Sequence, residues 1–359
     1  MRSRTFVQAR PWIAWLYLLV SLSLASGAKA QNILAQTHFN GVFNEAPVNV
    51  ALSKVYLSNL IPSIYQTLVV DGQNLDLLPS FPFGQGVSID LQTDQVWLAE
   101  RNGVVDAYDG TTNENTATVT TAETACGGLA TAFDCNLRRV WAGFTCTGGN
   151  DPIVAIDADT ATVIGSPILT GGVLAATPPL VNPATGRLYI SVGGVTYVID
   201  PTTFAMSKRS FDTVRAINPL TNYLYATNGF QLQIINGKPK PEVVLTTLYL
   251  PYAPSSLGVN TAFGHLYLAD PDHDLVEIRS ATTGAFLASV PLGAGNSPTA
   301  LGVDSSRGRI YVFAKSGPPD SLFEIEDVTG ARNCLGPATN ASPAIAVGGG
   351  GLGTGQSCQ

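Results

Sequence analysis

Basic runs are missing from this chain, and charge of either sign is thin. Only 13% of its 359 residues are charged, with 19 Lys and Arg against 26 Asp and Glu. The net charge of −7 opposes nucleic acid as a partner, because that binding rests on neutralising phosphate with Lys and Arg. Histidine occurs three times, at His38, His265 and His273, so a site of two or three imidazoles would have to join distant segments. No G-x-S-x-G elbow is present to activate a serine. No C-x-x-C-H attaches haem, and no paired C-x-x-C indicates zinc. The glycine runs at 148–149 and 348–351 do not open helices, so a phosphate cradle is not supported. What is plentiful is apolar residues at 45%, with 36 Gly and 23 Pro. That balance suits tight turns and a large β core, not disorder.

The first thirty residues read as an address. Arg2, Arg4 and Arg10 give a basic start, residues 12–24 form an apolar run, and Ala28-Lys29-Ala30 has the small-x-small form that signal peptidase accepts. Cleavage is expected before Gln31, with an uncleaved anchor as the alternative. The run is short for a span, which takes about 20 residues. No cysteine follows the cleavage site to take a lipid. Export removes four cations, leaving 15 against 26 acids, and the mature charge is near −11. The expected location is extracytoplasmic: periplasmic, secreted or on the cell surface, with no stable membrane span after cleavage.

One pattern then recurs seven times. Asn or Asp stands seven positions before Tyr or Trp: Asn49 and Tyr56, Asp90 and Trp97, Asp134 and Trp141, Asn182 and Tyr189, Asn218 and Tyr225, Asn260 and Tyr267, Asp304 and Tyr311. Gaps between successive aromatics are 41, 44, 48, 36, 42 and 44 residues. A period near about 40–45 is the length of a four-stranded propeller blade. The Asn or Asp can bond the backbone two residues on and close a turn. The aromatic, at one fixed place on a strand, is expected to pack between blades. The expected fold is all-β: a seven-bladed β-propeller of four-stranded antiparallel blades, since a ring lets each blade bury its faces on its neighbours.

The copies SPTALGVDSSRGRIYVFAKSG (297–317) and APSSLGVNTAFGHLYLADPD (253–272) resemble the YVTN family of propeller repeats, also termed YncE-like or surface-layer-type. The resemblance covers roughly residues 46–330. It implies the propeller fold and does not choose among surface proteins, periplasmic binders and enzymes of similar shape. The expected layout is a signal peptide at 1–30, a lead-in or closing strand at 31–45, the propeller at 46–347 and a Gly-rich tail at 348–359. Ring closure falls either to residues 33–39 or to SPAIAVG at 342–348.

Five cysteines in an exported chain suggest disulfides with one thiol over. A hairpin turning near Asn136 places Cys126 almost opposite Cys146, so these two form the first expected pair. Cys334–Cys358 follows by elimination, with an unpaired Cys358 as the alternative, and Cys135 is expected to be free.

Loops joining the second and third strands, and those joining blades, share one face of a propeller and are the place to look for ligands. The most charged is Asp270-Pro271-Asp272-His273-Asp274. Alternating carboxylates can replace the water shell of Ca²⁺, so Asp270, Asp272 and Asp274 are the candidate metal ligands, against a plain solvated acidic turn. The spacing lacks the Gly and distal Glu of the calcium-loop signature. Glu100, Arg101, Asp151, Lys315 and Asp320 are further candidates on that face. His265, on the opposite face, reads as structural. No cofactor is otherwise expected. The expected function is a non-catalytic binding or scaffold module for a protein or a cell-surface polymer, with self-association included. The alternative is an exported propeller enzyme, a lactonase-like hydrolase or a quinoprotein-type oxidoreductase.

Overall fold

The computed structural model describes residues 32–327, apart from 40, 42, 44, 59–66, 82–83, 176 and 318. The expected signal peptide, the Gly-rich tail, Cys334, Cys358 and the candidate closing strand at 342–348 lie outside the described residues. Among those described, no helix is long and apolar enough to cross a membrane.

Seven sheets of four antiparallel strands form the molecule. Six are runs of consecutive strands, spanning 48–81, 85–120, 126–169, 180–208, 213–249 and 257–291. The seventh takes three strands from 297–326 and its outermost one from the other end of the chain, Asn32–Phe39. That strand runs antiparallel to Asp320–Glu326, with Phe39 opposite Asp320 and Asn32 opposite Glu326. The N-terminal segment therefore closes the ring, and it fills the fourth position of blade seven.

The first strand of each blade lies innermost. Neighbouring first strands touch from blade two round to blade seven, and the first strand of blade seven lies against that of blade one. Burial falls outward: Leu188–Val192, a second strand, is buried throughout, while Phe286–Pro291, a fourth strand, is mostly exposed. Where blade seven meets blade one the backbones nearly touch. A Cβ on Gly302 would sit 2.0 Å from the Ala46 carbonyl oxygen, so only glycine fits there.

The recurrent residues do what their spacing predicts. In all seven first turns the Asn or Asp side-chain oxygen accepts the amide two residues on, as in Ala51 to Asn49 at 3.1 Å and Leu220 to Asn218 at 3.0 Å. Tyr56, Trp97, Trp141, Tyr189, Tyr225, Tyr267 and Tyr311 are all buried. Full burial of such a ring contributes about 2–3 kcal/mol. Several hydroxyls also latch onto the next blade: Tyr225 donates to the Ala281 carbonyl at 2.7 Å and Tyr311 to the Gly72 carbonyl at 2.5 Å. The second of these bonds crosses the ring closure.

Two faces result. The turns between first and second and between third and fourth strands make the turn face. The loops between second and third strands, with the connections between blades, make the loop face.

Cys126 and Cys146 are directly opposite in register and disulfide-bonded, with Cα atoms 4.4 Å apart. Cys135 is also disulfide-bonded, which corrects the expectation of a free thiol there. Strand register fixes a pair within one hairpin but says nothing about a cysteine at its turn.

Candidate functional site

The loop-face candidates do not converge. Asp270 is buried at the end of the second strand of blade six. Its Oδ1 accepts the amides of Asp272 at 3.0 Å and His273 at 3.1 Å, and its Oδ2 lies 2.7 Å from His273 Nδ1. Asp274 has a left-handed φ of 54°, and its carboxylate accepts the Gly295 amide at 2.7 Å. Asp272 is exposed. Asp270, Asp272 and Asp274, expected as one ligand set, do not bring three ligand atoms together. Two of the three carboxylates are occupied by backbone amides and hold the loop in shape. Among the described residues the group of three metal-ligating side chains that does converge is Glu123, Cys126 and Cys146. Its two sulfurs are joined to each other and are not thiolates.

Asp151 is wholly buried. Its carboxylate accepts the Cys146 amide at 2.9 Å and the Leu174 amide at 2.8 Å, tying a strand loop to the next blade connection. Asp320 is buried and accepts the Ser316 amide at 3.1 Å. His265 is buried with its Nδ1 2.6 Å from Asp327 Oδ2, a structural contact on the turn face. Lys315, Arg101 and His273 are exposed on the loop face.

Glu100 differs from the other carboxylates. Tyr108 Oη lies 3.4 Å from Glu100 Oε1 and 3.5 Å from Asp106 Oδ2, so one phenol joins two acids. Burial, with the negative charge of Asp106 beside it, pushes the Glu100 carboxyl up to about 7. Burial also raises the Tyr108 phenol. Asp106 and Tyr108 were not singled out in the sequence; they sit two apart on one strand, the only local signal they offer.

Blades three to five present a different loop face. Leu169, Val173, Phe230 and Tyr249 are exposed there, Tyr249 to 78%. Leu169 ends one fourth strand and Tyr249 another, while Gln231, next to Phe230, pairs with Tyr249. The Val173 carbonyl accepts the Gly193 amide at 3.1 Å. Gly193 and Gly194 have φ of 56° and 78°, the positive values that a two-residue hairpin turn requires, so the loop-face turn of blade four is short.

The described cleft lies elsewhere, on the turn face beside blade four. It measures about 200 Å³ and is lined by Arg187, Val198, Asp200, Thr203, Ala205, Ser207, Arg209 and Lys240. It opens because the outer strand of blade four, Met206–Lys208, is three residues long, whereas the other outer strands have five to eight. Glu242, buried on the neighbouring blade, receives Arg187 Nη1 at 2.9 Å, Arg209 Nε at 2.5 Å and Tyr189 Oη at 3.2 Å. Burial raises its carboxyl, but a hydrogen bond from its own backbone amide, followed by the Arg209 and Arg187 guanidinium groups, holds it below the ordinary value. Lys240 pairs with Asp200 at 2.9 Å, and that partner, with the Thr202 and Thr203 amides, holds the Asp200 carboxyl well below the usual range. Sequence reasoning missed this cluster because its members come from two blades. A signal existed: the residue two before each aromatic is Lys54, Gln95, Arg139, Arg187, Tyr223, His265 or Arg309. Lys54, Arg139 and Arg187 each reach a carbonyl in the outer turn of the next blade, at Gly110, Pro201 and Pro239.

Arg215 stands apart. It lies at a bulge in the innermost strand of blade five, its Nε is buried without a hydrogen-bond partner, and burial pushes its guanidinium down to about 10. Just before the first strand of blade one, buried Glu45 accepts the Val87 amide at 3.3 Å, and burial raises its carboxyl well above normal.

No family model matches the sequence, and no curated protein matches it. Solved structures match the fold. The β-propeller domain of Cps50 (Swd1) from Myceliophteria thermophila is 9% identical, over 82% of this chain and 99% of that chain, with a TM-score of 0.63. A chain of a mitotic checkpoint complex is 12% identical, over 91% and 99%, with a TM-score of 0.66. The RRP9 WD40 repeats are 11% identical, over 82% and 100%, with a TM-score of 0.63. At these identities the likeness is one of fold, and the chain is a seven-bladed β-propeller.

Proposed function

We propose that this protein is an exported, non-catalytic propeller of the YVTN type that binds a protein or a cell-surface polymer through the loop face of blades three to five. The observation that carries this reading is the exposed apolar set Leu169, Val173, Phe230 and Tyr249. Exposed aromatics grouped on one face are the anchors of protein interfaces, and a soluble protein gains little from them otherwise. The exposed side chains of Arg101, Asp272, His273 and Lys315 make the rest of that face polar. The leader-like first thirty residues support export, and the recurrent turn-and-aromatic motif supports the family. One similar fold comes from a structure titled as a complex, so this shape does serve in an assembly there.

The test is crosslinking in the cell envelope with wild type, Phe230→Ser/Tyr249→Ser and Phe286→Ser. Phe286 is equally exposed but on an outer strand of blade six. A partner, or a second copy of the chain, captured by wild type and Phe286→Ser but lost in the double variant supports the reading. A partnerless monomer throughout, or capture indifferent to Phe230 and Tyr249, overturns it.

Glu100 favours a second reading, an exported lactonase-like hydrolase. A carboxyl that titrates near neutrality beside a second carboxylate has the properties of a general acid–base. Hydrolysis of a lactone panel that disappears in Glu100→Gln would establish it. No hydrolysis, or hydrolysis unchanged by the substitution, removes it.

A further inference from the structure

The cleft beside blade four has the chemistry of an anion site, and its charge runs against that of the chain. Residues 187–242 carry six Lys and Arg against three Asp and Glu, in a chain whose acids outnumber its bases by seven. Within the cleft three cations, Arg187, Arg209 and Lys240, face two carboxylates, Asp200 and Glu242.

Those five groups are not equivalent. Glu242 is buried and fixed between two guanidinium groups, so it positions them and does not compete for a ligand. Arg187 spends Nη1 on Glu242 and on the Gly237 and Pro239 carbonyls. Arg209 spends Nε on Glu242 and Nη1 on the Ser207 hydroxyl and the Lys208 carbonyl. Among the described residues neither Nη2 donates to the protein. Neither is a sealed buried donor, so both remain available to a ligand. Two guanidinium groups oriented by one buried carboxylate form a rigid fork, the arrangement that oxyanions prefer to flexible ammonium groups.

Lys240 is the movable cation. Its side chain is 64% exposed, and it reaches Asp200 from the neighbouring blade. Exposed ion pairs of this kind are weak, so an incoming anion can take the ammonium from Asp200 at small cost. Thr203 adds a hydroxyl donor on the same wall, while the Ser207 hydroxyl donates to the Val198 carbonyl at 3.3 Å and accepts from Arg209. Arg187 and Arg209 come from blade four and Lys240 from blade five, and a group with three or more oxygens can accept from all three where a flat carboxylate offers two.

We propose that this cleft binds a tetrahedral oxyanion, a phosphate or sulfate group, through Arg187, Arg209 and Lys240, with Asp200 as an internal competitor for Lys240. The site is independent of the loop-face reading, since it lies on the opposite face and uses none of the same residues.

The test is isothermal titration of the purified chain with inorganic phosphate, sulfate and acetate at constant ionic strength, alongside Lys240→Gln, Arg209→Gln and Asp200→Asn. Asn keeps the turn oxygen that accepts the Thr202 and Thr203 amides, as Asn236 does in the next blade, so Asp200→Asn retains the local fold. Wild type binds phosphate or sulfate more tightly than acetate. Lys240→Gln weakens binding about fivefold, and Asp200→Asn strengthens it about threefold, because it frees the ammonium. Arg209→Gln weakens binding further. If only sulfate binds, the polymer-sulfate class is selected within the proposal; if only phosphate binds, the phosphate class is. No binding in wild type and in Asp200→Asn overturns the site. So does binding that all three variants leave unchanged, or acetate binding as tightly as phosphate.

Discussion

The loop at 270–274 and the cleft around Arg187 are two charged regions of the ring, and they use charge in opposite ways. In the loop the charges are adjacent in sequence, and the carboxylates of Asp270 and Asp274 turn inward onto backbone amides. In the cleft the charges are up to 55 residues apart, and two guanidinium groups converge on one buried carboxylate while keeping free donors. A run of acids along the chain is therefore a poor guide to a site here, because short Asp side chains find their own backbone first. Long Arg and Lys side chains reach across a blade boundary, so their sites form between repeats.

The sharpest way to break this comparison is Glu242→Ala. It leaves Arg187 and Arg209 without their shared buried counter-ion and should cost about 3 kcal/mol in a urea unfolding experiment. A cost under 1 kcal/mol would mean that the carboxylate does not organise the cleft. The loop offers an internal contrast. Asp270→Ala strands two amides and should cost about 2 kcal/mol, whereas Asp272→Ala, three atoms of exposed side chain, should stay within about 0.5 kcal/mol. Equal effects would contradict the division between turn-closing and solvated acids.

Arg215 sharpens the point further, since among the described residues its buried Nε has no hydrogen-bond partner. Replacing it with Met should stabilise the fold by about 1 kcal/mol, read as a raised unfolding midpoint. A loss of stability would show that the guanidinium is satisfied in the fold. The smallest effect concerns pH. Glu100 has an ordinary value of 4.5 and a folded value of about 7, so the folded chain holds its proton more tightly than the unfolded chain. Its contribution is fully present below pH 4.5 and is lost as pH rises to about 7. Glu45 is raised in the same direction. Stability should fall with pH across that window, and Glu100→Gln should flatten part of the slope. A slope of opposite sign, or one that the substitution does not alter, would contradict the burial of Glu100.

Much of the fold was readable because its determinants are local. An Asn that bonds two residues on, and an aromatic seven positions later, imply a blade wherever they occur, as at Asn260 and Tyr267. Cys126–Cys146 was readable for the same reason, since both lie on one hairpin. Ring closure was half readable: residues 33–39 were a candidate strand, but only the pairing of Phe39 with Asp320 chooses them. The cleft was not legible. Arg187, Arg209 and Glu242 acquire meaning only once blade four lies beside blade five, and the shortness of Met206–Lys208 that opens the gap is not marked in its composition.

One paired titration, read by the unfolding midpoint, tests the central division most directly: calcium ion against inorganic phosphate, at fixed ionic strength. The account predicts that phosphate raises the midpoint, more so in Asp200→Asn, and that calcium leaves it in place. A calcium-dependent rise abolished by Asp272→Asn, with no response to phosphate, would contradict it.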